Sequence, residues 1–442
     1  MINYNKYFKD KKITVMGLGL LGRGIGYTKF LAECGADLIV TDLKTKDQLK
    51  TSAKELSKYK NIKFVLGEHR LEDFKNRDMV IKAAGVPLDS IYIKEAKKNK
   101  IPVEMDVSLF VKIADKVMIV GVTGTRGKSM TTAVIFKILK DNIKDRNVYI
   151  GGNVRGVATL PLLKKVKDKD ILVCELDSWQ LQGFGDSKIS PHISVFTTFM
   201  PDHMNYYKGS MKKYFSDKAN IFKYQNKEDL LIIRPEMKKF INKSDTKGRL
   251  IVVNPKNFMN WKFNVPGRHH IENMSCAVEV AKELKIPITK IQKSVESFKD
   301  LEGRMQLLGT YKGIKIYNDN NATTPEATIA GLEALGSKNK NIILIAGGAD
   351  KKLDTKNLSK TIDKYCKALV LLSGTGTDSF LKNKIKINKT IVHNLKDAVK
   401  EAINTSRKGD IILLSPAFAS FGMFTNEYDR NDQFMKIIEK LK

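Results

Sequence analysis

Short apolar runs alternate with helix-length amphipathic segments along almost the whole chain. The clearest runs are ITVMG, DLIVTD, MVIKAAG, VMIVGVTG, ILVCELD, ISVFTTF, LIVVN, IKIYND, NIILIAGG, ALVLLSG and DIILLSP. Apolar runs of this length, separated by helices, are typical of strands buried on both faces of a parallel sheet. The pattern therefore predicts an α/β fold.

Two of these strands run into glycine-rich turns, at Gly17 and at Gly121. Each turn restarts a nucleotide-site pattern, which predicts a separate domain with its own sheet. A third strand series follows the segment LEGRMQLLG, and a length of 442 residues fits two or three domains. We predict a Rossmann-like domain over 1–112, a central P-loop ATPase-type domain with a parallel or mixed sheet over 113–298, and a C-terminal Rossmann-like domain over 299–442.

Composition changes this picture only through charge. The chain has 78 basic and 48 acidic residues, a formal net charge of +30. Such a charge is typical of proteins that bind nucleic acid or membrane surfaces. The lysines are spread along the chain without a basic block, which favours a solvated surface whose field also attracts an anionic nucleotide. We predict no nucleic-acid partner.

The cysteines and the apolar runs bear on the compartment. Cys34, Cys174, Cys276 and Cys366 are far apart, with no CxxC spacing and no disulfide framework. The chain starts without an apolar signal region, and no run approaches the roughly 18 apolar residues of a membrane span. We expect a cytoplasmic protein that does not insert into membranes.

The most specific motif is the segment Gly121–Ser129, GVTGTRGKS, between an apolar strand and a predicted helix. In such a loop, backbone N–H groups point at phosphate oxygens, Lys128 reaches the terminal phosphates and the Ser129 hydroxyl can bind Mg²⁺. Val122 stands where the usual Walker spacing has glycine, so the loop is a variant. The motif predicts an ATP site, and the alternative is a glycine-rich turn before a helix.

The first loop, GLGLLG from Gly17 to Gly22, is followed by Asp42 at the end of the next strand. This is the dinucleotide fingerprint with its acidic ribose partner. By itself it allows NAD, a UDP-type ligand or merely a tight turn.

Other polar groups also follow strands. Glu175 and His203 lie where the carboxyl edge of an open sheet binds ligands, so they could hold a second divalent ion. In the third domain the segments NDNNATTPE, GGADK and LSPAFAS should meet at one sheet edge, although Thr323 or Ser420 could simply be a helix N-cap. From spacing alone, Lys218 is one more exposed lysine.

Together these residues resemble the Mur ligase family over essentially the whole chain. The resemblance rests on the GxGLLG opening, GVTGTRGKS, Gly151-Gly152-Asn153, ELDSWQL, DHMNYY, Lys218 in its helix, PGRH, Arg304, NDNNATTPEAT, GGADK and LLSPAFASF. It implies a monomeric ATP-dependent ligase that adds D-glutamate to UDP-N-acetylmuramoyl-L-alanine through an acyl phosphate.

The resemblance also implies roles for individual residues. Lys218 would be carbamylated and would join Ser129, Glu175 and His203 as a ligand of two Mg²⁺ ions; Lys128, Lys218, His203 and Glu175 would form the catalytic set. The implied ATP contacts are Gly121, Thr123, Gly124, Thr125, Arg126, Gly127, Lys128, Ser129, Asn273, Arg304 and Asp319. The implied UDP-substrate contacts are Gly19, Leu20, Leu21, Gly22, Thr41, Asp42 and Asn153. The implied glutamate contacts are Thr323, Lys351 and Ser420.

Three departures from the family pattern fall near the amino-acid site or in the PGxHN motif. Asn321 replaces a lysine, His270 replaces an asparagine, and Glu427 stands where an aromatic is common. They leave L-glutamate open as the substrate. A folylpolyglutamate-type ligase is disfavoured by the N-terminal glycine-loop domain, and an NAD-dependent oxidoreductase by the complete ATP loop in the next domain.

Overall fold

The structure, a computed structural model, describes residues 2–20 and 22–441. The chain forms two compact units, Met1–Phe258 with Asn273–Ser294, and Met259–Glu272 with Val295–Lys442. The first unit contains two sheets and the second contains one. The predicted domain limits at residues 112 and 298 stay predictions.

The N-terminal sheet has five short strands. They are β1 (Lys12–Met16), β2 (Asp37–Asp42), β3 (Ile62–Leu66), β4 (Met79–Lys82) and β5 (Val103–Glu104), and the helices of this region are α1 (Tyr4–Phe8), α2 (Arg23–Glu33), α3 (Lys50–Leu56), α4 (Ile91–Lys98) and α5 (Asp106–Ile113). The strand order is β3-β2-β1-β4-β5, and the paired strands are parallel. The first glycine loop therefore leaves the carboxyl end of the central strand β1, where α/β sheets bind ligands.

The middle sheet has six parallel strands in the order β11-β10-β9-β6-β8-β7. The strands are β6 (Met118–Thr123), β7 (Val148–Gly152), β8 (Ile171–Glu175), β9 (Ile193–Phe196), β10 (Leu230–Ile233) and β11 (Arg249–Val252), and the helices are α6 (Lys128–Asn142), α7 (Ser178–Asp186), α8 (Met211–Ala219), α9 (Arg268–Glu283) and α10 (Ile288–Glu296). Because β8 and β9 flank β6, their carboxyl ends lie beside the loop between β6 and α6, residues 124–127, which we call the phosphate-type loop.

The C-terminal sheet has the order β12-β13-β17-β14-β15-β16 and is mixed, because β12 pairs with β13 antiparallel. Its strands are β12 (Gln306–Tyr311), β13 (Ile314–Asn318), β14 (Ile342–Gly347), β15 (Cys366–Leu372), β16 (Asn388–Val392) and β17 (Ile411–Leu414), and its helices are α11 (Pro325–Leu335), α12 (Lys356–Tyr365), α13 (Thr375–Phe380), α14 (Leu395–Thr405) and α15 (Glu427–Glu439). The predicted α/β class is confirmed.

Each unit has a core of its own. In the first unit one apolar cluster runs from α2, with Phe30 and Leu31, to the middle sheet, with Leu172 and Phe196. In the second unit the central strands pack against α14 and α15, for example through Phe434. The remaining short helices are 3-10 turns at Leu71–Phe74, Leu160–Lys164, Pro235–Lys239, Lys243–Asp245 and Pro255–Phe258. Within residues 2–20 and 22–441, no helix combines the length and apolarity needed to span a membrane.

Candidate active site

The phosphate-type loop joins β6 to α6 and is pressed tightly against its neighbours. Gly124 has φ +145°, and a Cβ at this position would lie 2.0 Å from Thr197 Oγ1. Gly127 has φ +88°, and a Cβ there would lie 2.4 Å from Asn273 Oδ1. Only glycine fits both positions, because a side chain would be both crowded and strained. The predicted ATP contact Asn273 thus lies against the loop.

The N-terminus of α6 is suited to an anion. Its first turn carries no acidic residue, so no carboxylate offsets the positive end of the helix dipole there. Lys128 begins the helix, and its ammonium donates to the carbonyls of Gly124 at 3.0 Å and Thr125 at 3.3 Å. The lysine therefore folds back over the loop where terminal phosphates would be bound.

Thr125 and Arg126 fix the loop to the segment after β9. The Thr125 N–H donates to the Thr198 carbonyl at 2.7 Å, and the Arg126 N–H donates to Thr198 Oγ1 at 2.8 Å. The Arg126 guanidinium donates to Asp202 at 2.8 Å. Two other predicted ATP contacts, Thr123 and Gly121, make contacts within the protein. Thr123 donates its hydroxyl to the Leu176 carbonyl, and Gly121 lies so close to Pro191 that a Cβ would collide with it.

Lys218 is buried within this site. It is 1% exposed, and its amine donates to the Gly124 carbonyl at 2.9 Å. Burial holds the pKa of Lys218 well below its usual value, and the nearby charge of Lys128 lowers it further. The interpretation of Lys218 as one more exposed lysine is therefore wrong, because α8 places it beneath the phosphate-type loop.

Glu175 and Asn153 meet at the carboxyl ends of β8 and β7. The Asn153 N–H donates to the Glu175 carbonyl at 2.7 Å, and its side-chain amide donates to the Glu175 carboxylate at 3.4 Å. A Cβ on Gly152 would lie 2.0 Å from the Glu175 carbonyl, so the close approach requires glycine. Glu175 as a whole is 5% exposed, and it ends β8 at the edge where the strands finish.

His203 lies in the loop after β9, in a left-handed conformation with φ +54°. Its pKa is lowered mainly by burial and also by the charges of Lys128 and Lys218, while Asp202 opposes the shift. A neutral imidazole is the form that binds a metal ion. Among the described residues no group of three or more His, Cys, Asp or Glu is arranged as a metal site. Glu175, His203 and, if it carried a carbamate, Lys218 are the side chains of this region that could bind a metal ion.

Tyr214, Trp179 and Asp202 were missed as site residues by sequence reasoning. The Tyr214 hydroxyl lies 3.3 Å from Thr125 Oγ1, and the Lys218 amine lies 4.9 Å from the Tyr214 ring centroid. The spacing of four residues between Tyr214 and Lys218 on one helix was the available signal. Asp202 and Trp179 both contact His203, a contact that spacing in the sequence does not reveal.

The N-terminal glycine loop is closed by Asp42. Its carboxylate accepts the N–H groups of Gly19 at 3.0 Å and Lys44 at 2.9 Å, so it fixes the shape of the loop. Gly22 caps α2 with φ +80°, and Leu20 is 45% exposed. Thr41 is buried, with its hydroxyl against the Glu68 carbonyl and the His69 ring. The predicted contact Leu21 lies outside the described residues.

The second unit contains the other predicted contacts. Lys351 donates to Thr323 Oγ1 at 3.1 Å, which brings two predicted glutamate contacts together. Ser420 is buried in the loop where Ala349 and Ala419 form a backbone bridge. Asp319 accepts from Ser415 at 2.9 Å, and burial raises its pKa to about 7 although the charge of Arg304 opposes this.

The residues that depart from the family pattern, Asn321, His270 and Glu427, lie among the following contacts. Asn320 donates to the Glu427 carbonyl at 2.8 Å and accepts from the fully buried Arg430 at 2.7 Å. Asn321 donates its backbone N–H to the Gly303 carbonyl at 3.0 Å. His270 is buried, and neither ring nitrogen has a hydrogen-bond partner within the described part of the chain.

Comparison with known proteins decides the family. Three family models match successive parts of the chain: a Mur ligase MurD-like N-terminal domain over 11–104, a Mur ligase middle domain over 122–249, and a Mur ligase glutamate ligase domain over 303–418. The chain belongs to the Mur ligase family. It is therefore a ligase, and the resemblance read from its motifs is confirmed.

Curated relatives of the chain include UDP-N-acetylmuramoylalanine--D-glutamate ligases of several bacteria. The protein of Borreliella burgdorferi (strain ZS7) is 34% identical over 456 residues, with 98% of each chain covered. That of Clostridioides difficile (strain 630) is 32% identical over 460 residues, covering 98% of this chain and 99% of the relative.

Solved Mur ligase structures share the fold. UDP-N-acetylmuramate-alanine ligase MurC from Thermotoga maritima matches with a TM-score of 0.64 at 19% identity, covering 98% of this chain and 100% of that one. MurF ligase from Thermotoga maritima in complex with ADP matches with a TM-score of 0.59 at 17% identity, covering 100% and 97%.

Proposed function

We propose that this Mur ligase joins D-glutamate to UDP-N-acetylmuramoyl-L-alanine in the synthesis of peptidoglycan precursors, with ATP converted to ADP and phosphate. The observation that carries this proposal is the similarity, over 98% of the chain, to relatives that bear the name of this ligase. The MurD-like N-terminal match adds the domain that would bind the UDP-linked substrate.

ATP would bind at the loop between β6 and α6. The α6 N-terminus and the Lys128 ammonium both favour a polyphosphate there. The reaction brings the alanyl carboxylate up to the γ-phosphate, so two anions must approach each other. Lys128 stabilises the charge that develops during this transfer, and the buried loop excludes water from the acyl phosphate. Asn273, Arg304 and Asp319 would bind the adenosine part.

Ser129, Glu175, His203 and a carbamylated Lys218 would hold two Mg²⁺ ions, which neutralise phosphate charge when bound. Three of the four donors fit this role, and the His203 imidazole adds a nitrogen, which Mg²⁺ binds less readily than oxygen. Carboxylate, hydroxyl and carbamate oxygens are ligands that Mg²⁺ prefers. The lowered pKa of Lys218 favours the neutral amine, which is the form that can attack carbon dioxide.

The two acceptor substrates would be recognised at separate sets of residues. The UDP-linked substrate would bind at Gly19, Leu20, Leu21, Gly22, Thr41, Asp42 and Asn153. Glutamate would bind at Thr323, Lys351 and Ser420, where a lysine ammonium and hydroxyls suit carboxylate oxygens. The amine of glutamate displaces phosphate from the acyl phosphate and forms the amide.

The test is phosphate release by the purified protein with Mg-ATP and UDP-N-acetylmuramoyl-L-alanine, with D-glutamate, L-glutamate or neither added. Release that depends on D-glutamate is expected. Lys128→Ala should abolish it, whereas Lys137→Ala on the same helix, where the ammonium pairs with Asp141, should not. Release only with L-glutamate would assign the other enantiomer, and no release in any mixture would contradict the proposed acceptor.

A further inference from the structure

Trp179 packs against His203 at the edge of the middle sheet. It is the second residue of α7, whose start is fixed by a capping box: Gln180 N–H donates to Asp177 at 2.7 Å, and Asp177 N–H donates back to the Gln180 side chain at 3.3 Å. The indole and imidazole centroids are 4.7 Å apart, with an interplanar angle of 48°. The helix start therefore sets where the indole lies.

The imidazole of His203 depends on such packing. Its backbone is held by the N–H contact to Asp202 at 3.0 Å and by Tyr207 N–H, which donates to the His203 carbonyl at 3.1 Å. The imidazole ring is less firmly fixed than the backbone, because its Nε2 atom lies 3.8 Å from the Asp202 carboxylate, beyond hydrogen-bond distance. Among the described residues, the aromatic rings that pack on it are those of Trp179 and Tyr214, and the Tyr214 ring lies edge-on with its centroid 6.2 Å from that of the imidazole.

We propose that Trp179 is a positioning residue that fixes the orientation of the His203 imidazole through the contact between the two rings. The proposal rests on the proposed function in one respect, namely that His203 serves the ligase reaction. A flat ring at residue 179 stops the imidazole from turning, and an aliphatic side chain leaves room for rotation. Phenylalanine should therefore preserve the effect, and leucine should not.

Steady-state kinetics of Trp179→Phe and Trp179→Leu test this. Trp179→Leu should lower kcat by about 10²-fold, the order expected when a reacting group is misplaced by about 1 Å, with KM for ATP unchanged. Trp179→Phe should restore most of kcat. Tyr206→Leu is the matched control, because its ring packs on Trp179 at 5.4 Å but makes no ring contact with His203 among the described residues. Its kcat should stay near that of the unchanged protein.

Fluorescence tests the contact without substrate. The chain has two tryptophans, Trp179 and Trp261, so Trp261→Phe leaves Trp179 as the single emitter. Imidazole quenches the emission of an indole that it contacts, most strongly when the imidazole is protonated, so the measurement is made at acidic pH. Adding His203→Leu to the single-tryptophan protein should brighten the emission, while His393→Leu in the second unit should not.

Full activity of Trp179→Leu would overturn the proposal, and so would unchanged emission after His203→Leu. It would also be overturned if Trp179→Phe and Tyr206→Leu lost as much kcat as Trp179→Leu and all three variants melted at a lower temperature. Such an equal loss of kcat in all three variants would mean that Trp179 only stabilises the fold. Failure of the proposed function is distinguishable, because the unchanged protein would then release no phosphate while the emission experiment would still report the contact.

Discussion

Two ionisable side chains of the proposal are buried, Lys218 in the first unit and Asp319 in the second, and each has a pKa shifted towards its uncharged form. Burial lowers the pKa of Lys218, and it raises that of Asp319 to about 7. Removing charge from water is costly unless a partner of opposite sign is close. At the scale of single residues, these positions therefore favour neutral side chains, which a charged ligand or a covalent modification would alter.

Lys218 offers the first prediction at this scale. Lys218→Ala should be nearly inactive, and short carboxylates such as formate or acetate should recover part of the activity by replacing the carbamate as a metal ligand. Phosphate release measured against carboxylate concentration checks this. Lys212→Ala, an exposed lysine on the same helix, is the control and should behave like the unchanged protein. Full activity of Lys218→Ala without added carboxylate would remove Lys218 from the mechanism.

Asp319 gives a prediction about pH. Its pKa is about 7 in the folded chain, compared with a usual value of 3.8, so the folded state keeps a proton that the unfolded state has released. Stability should therefore fall as pH rises between these values. Asp319→Asn cannot ionise at this position and does not lose stability in this way. The melting temperature of the variant minus that of the unchanged protein should therefore increase between about pH 5 and about pH 8. Each kcal/mol of unfolding free energy corresponds to about 2–4 °C.

The control for this pH effect is Asp378→Asn, which changes an exposed carboxylate of the same unit. Its difference in melting temperature should stay flat over the same range. A flat difference for Asp319→Asn as well would mean that the carboxylate ionises as easily in the folded chain as in the unfolded one.

At the scale of secondary-structure elements, sequence patterning predicted the central strands and the loops that follow them. β1, β6, β8, β9, β14 and β17 are largely continuous apolar runs because both faces are covered. Gly17 and Asp319 directly follow β1 and β13, and Glu175 is the last residue of β8. Gly121 lies within β6, so the turn that was predicted there begins only after Thr123. The other three positions follow from buried patterning and glycine chemistry alone.

The strands that patterning missed are mostly at sheet edges. β3, β5, β7, β12 and β16 each form an edge, where one side of the strand faces solvent and the apolar run is broken. In β16, for example, Asn388–Val392, four of five residues are exposed. β10 is interior and was missed although Leu230–Ile233 is wholly apolar. Side-chain pairs such as Trp179 with His203 were missed because they join segments far apart in the sequence.

At the scale of the whole molecule, the dominant property is the formal net charge of +30. The proposed substrates are anions: ATP and the UDP-linked sugar each carry phosphate charge, and glutamate carries one net negative charge. A positive field raises the rate at which such substrates reach their sites, and salt weakens it. The lysine excess is thus compatible with a nucleotide-using enzyme and does not require a nucleic-acid partner.

This interpretation predicts a specific dependence on salt. Raising the ionic strength from about 0.01 M to about 0.15 M shortens the screening length from about 30 Å to about 8 Å. The kcat/KM for ATP and for the UDP-linked substrate should then fall several-fold, and that for glutamate should fall less because its charge is smaller. The kcat at saturating substrates should not change, since encounter no longer limits the rate.

The same assay distinguishes substrate attraction from nucleic-acid binding as the role of the positive charge. KCl and NaCl should act alike if screening is the cause, and sucrose at equal osmolality should have no effect. Duplex DNA added at about 0.15 M salt should not inhibit, because non-specific phosphate contacts weaken steeply with salt. Strong inhibition by DNA under these conditions would favour nucleic acid as a partner, and an equal fall in kcat would show that salt acts on the chemistry and not on the approach of the substrates.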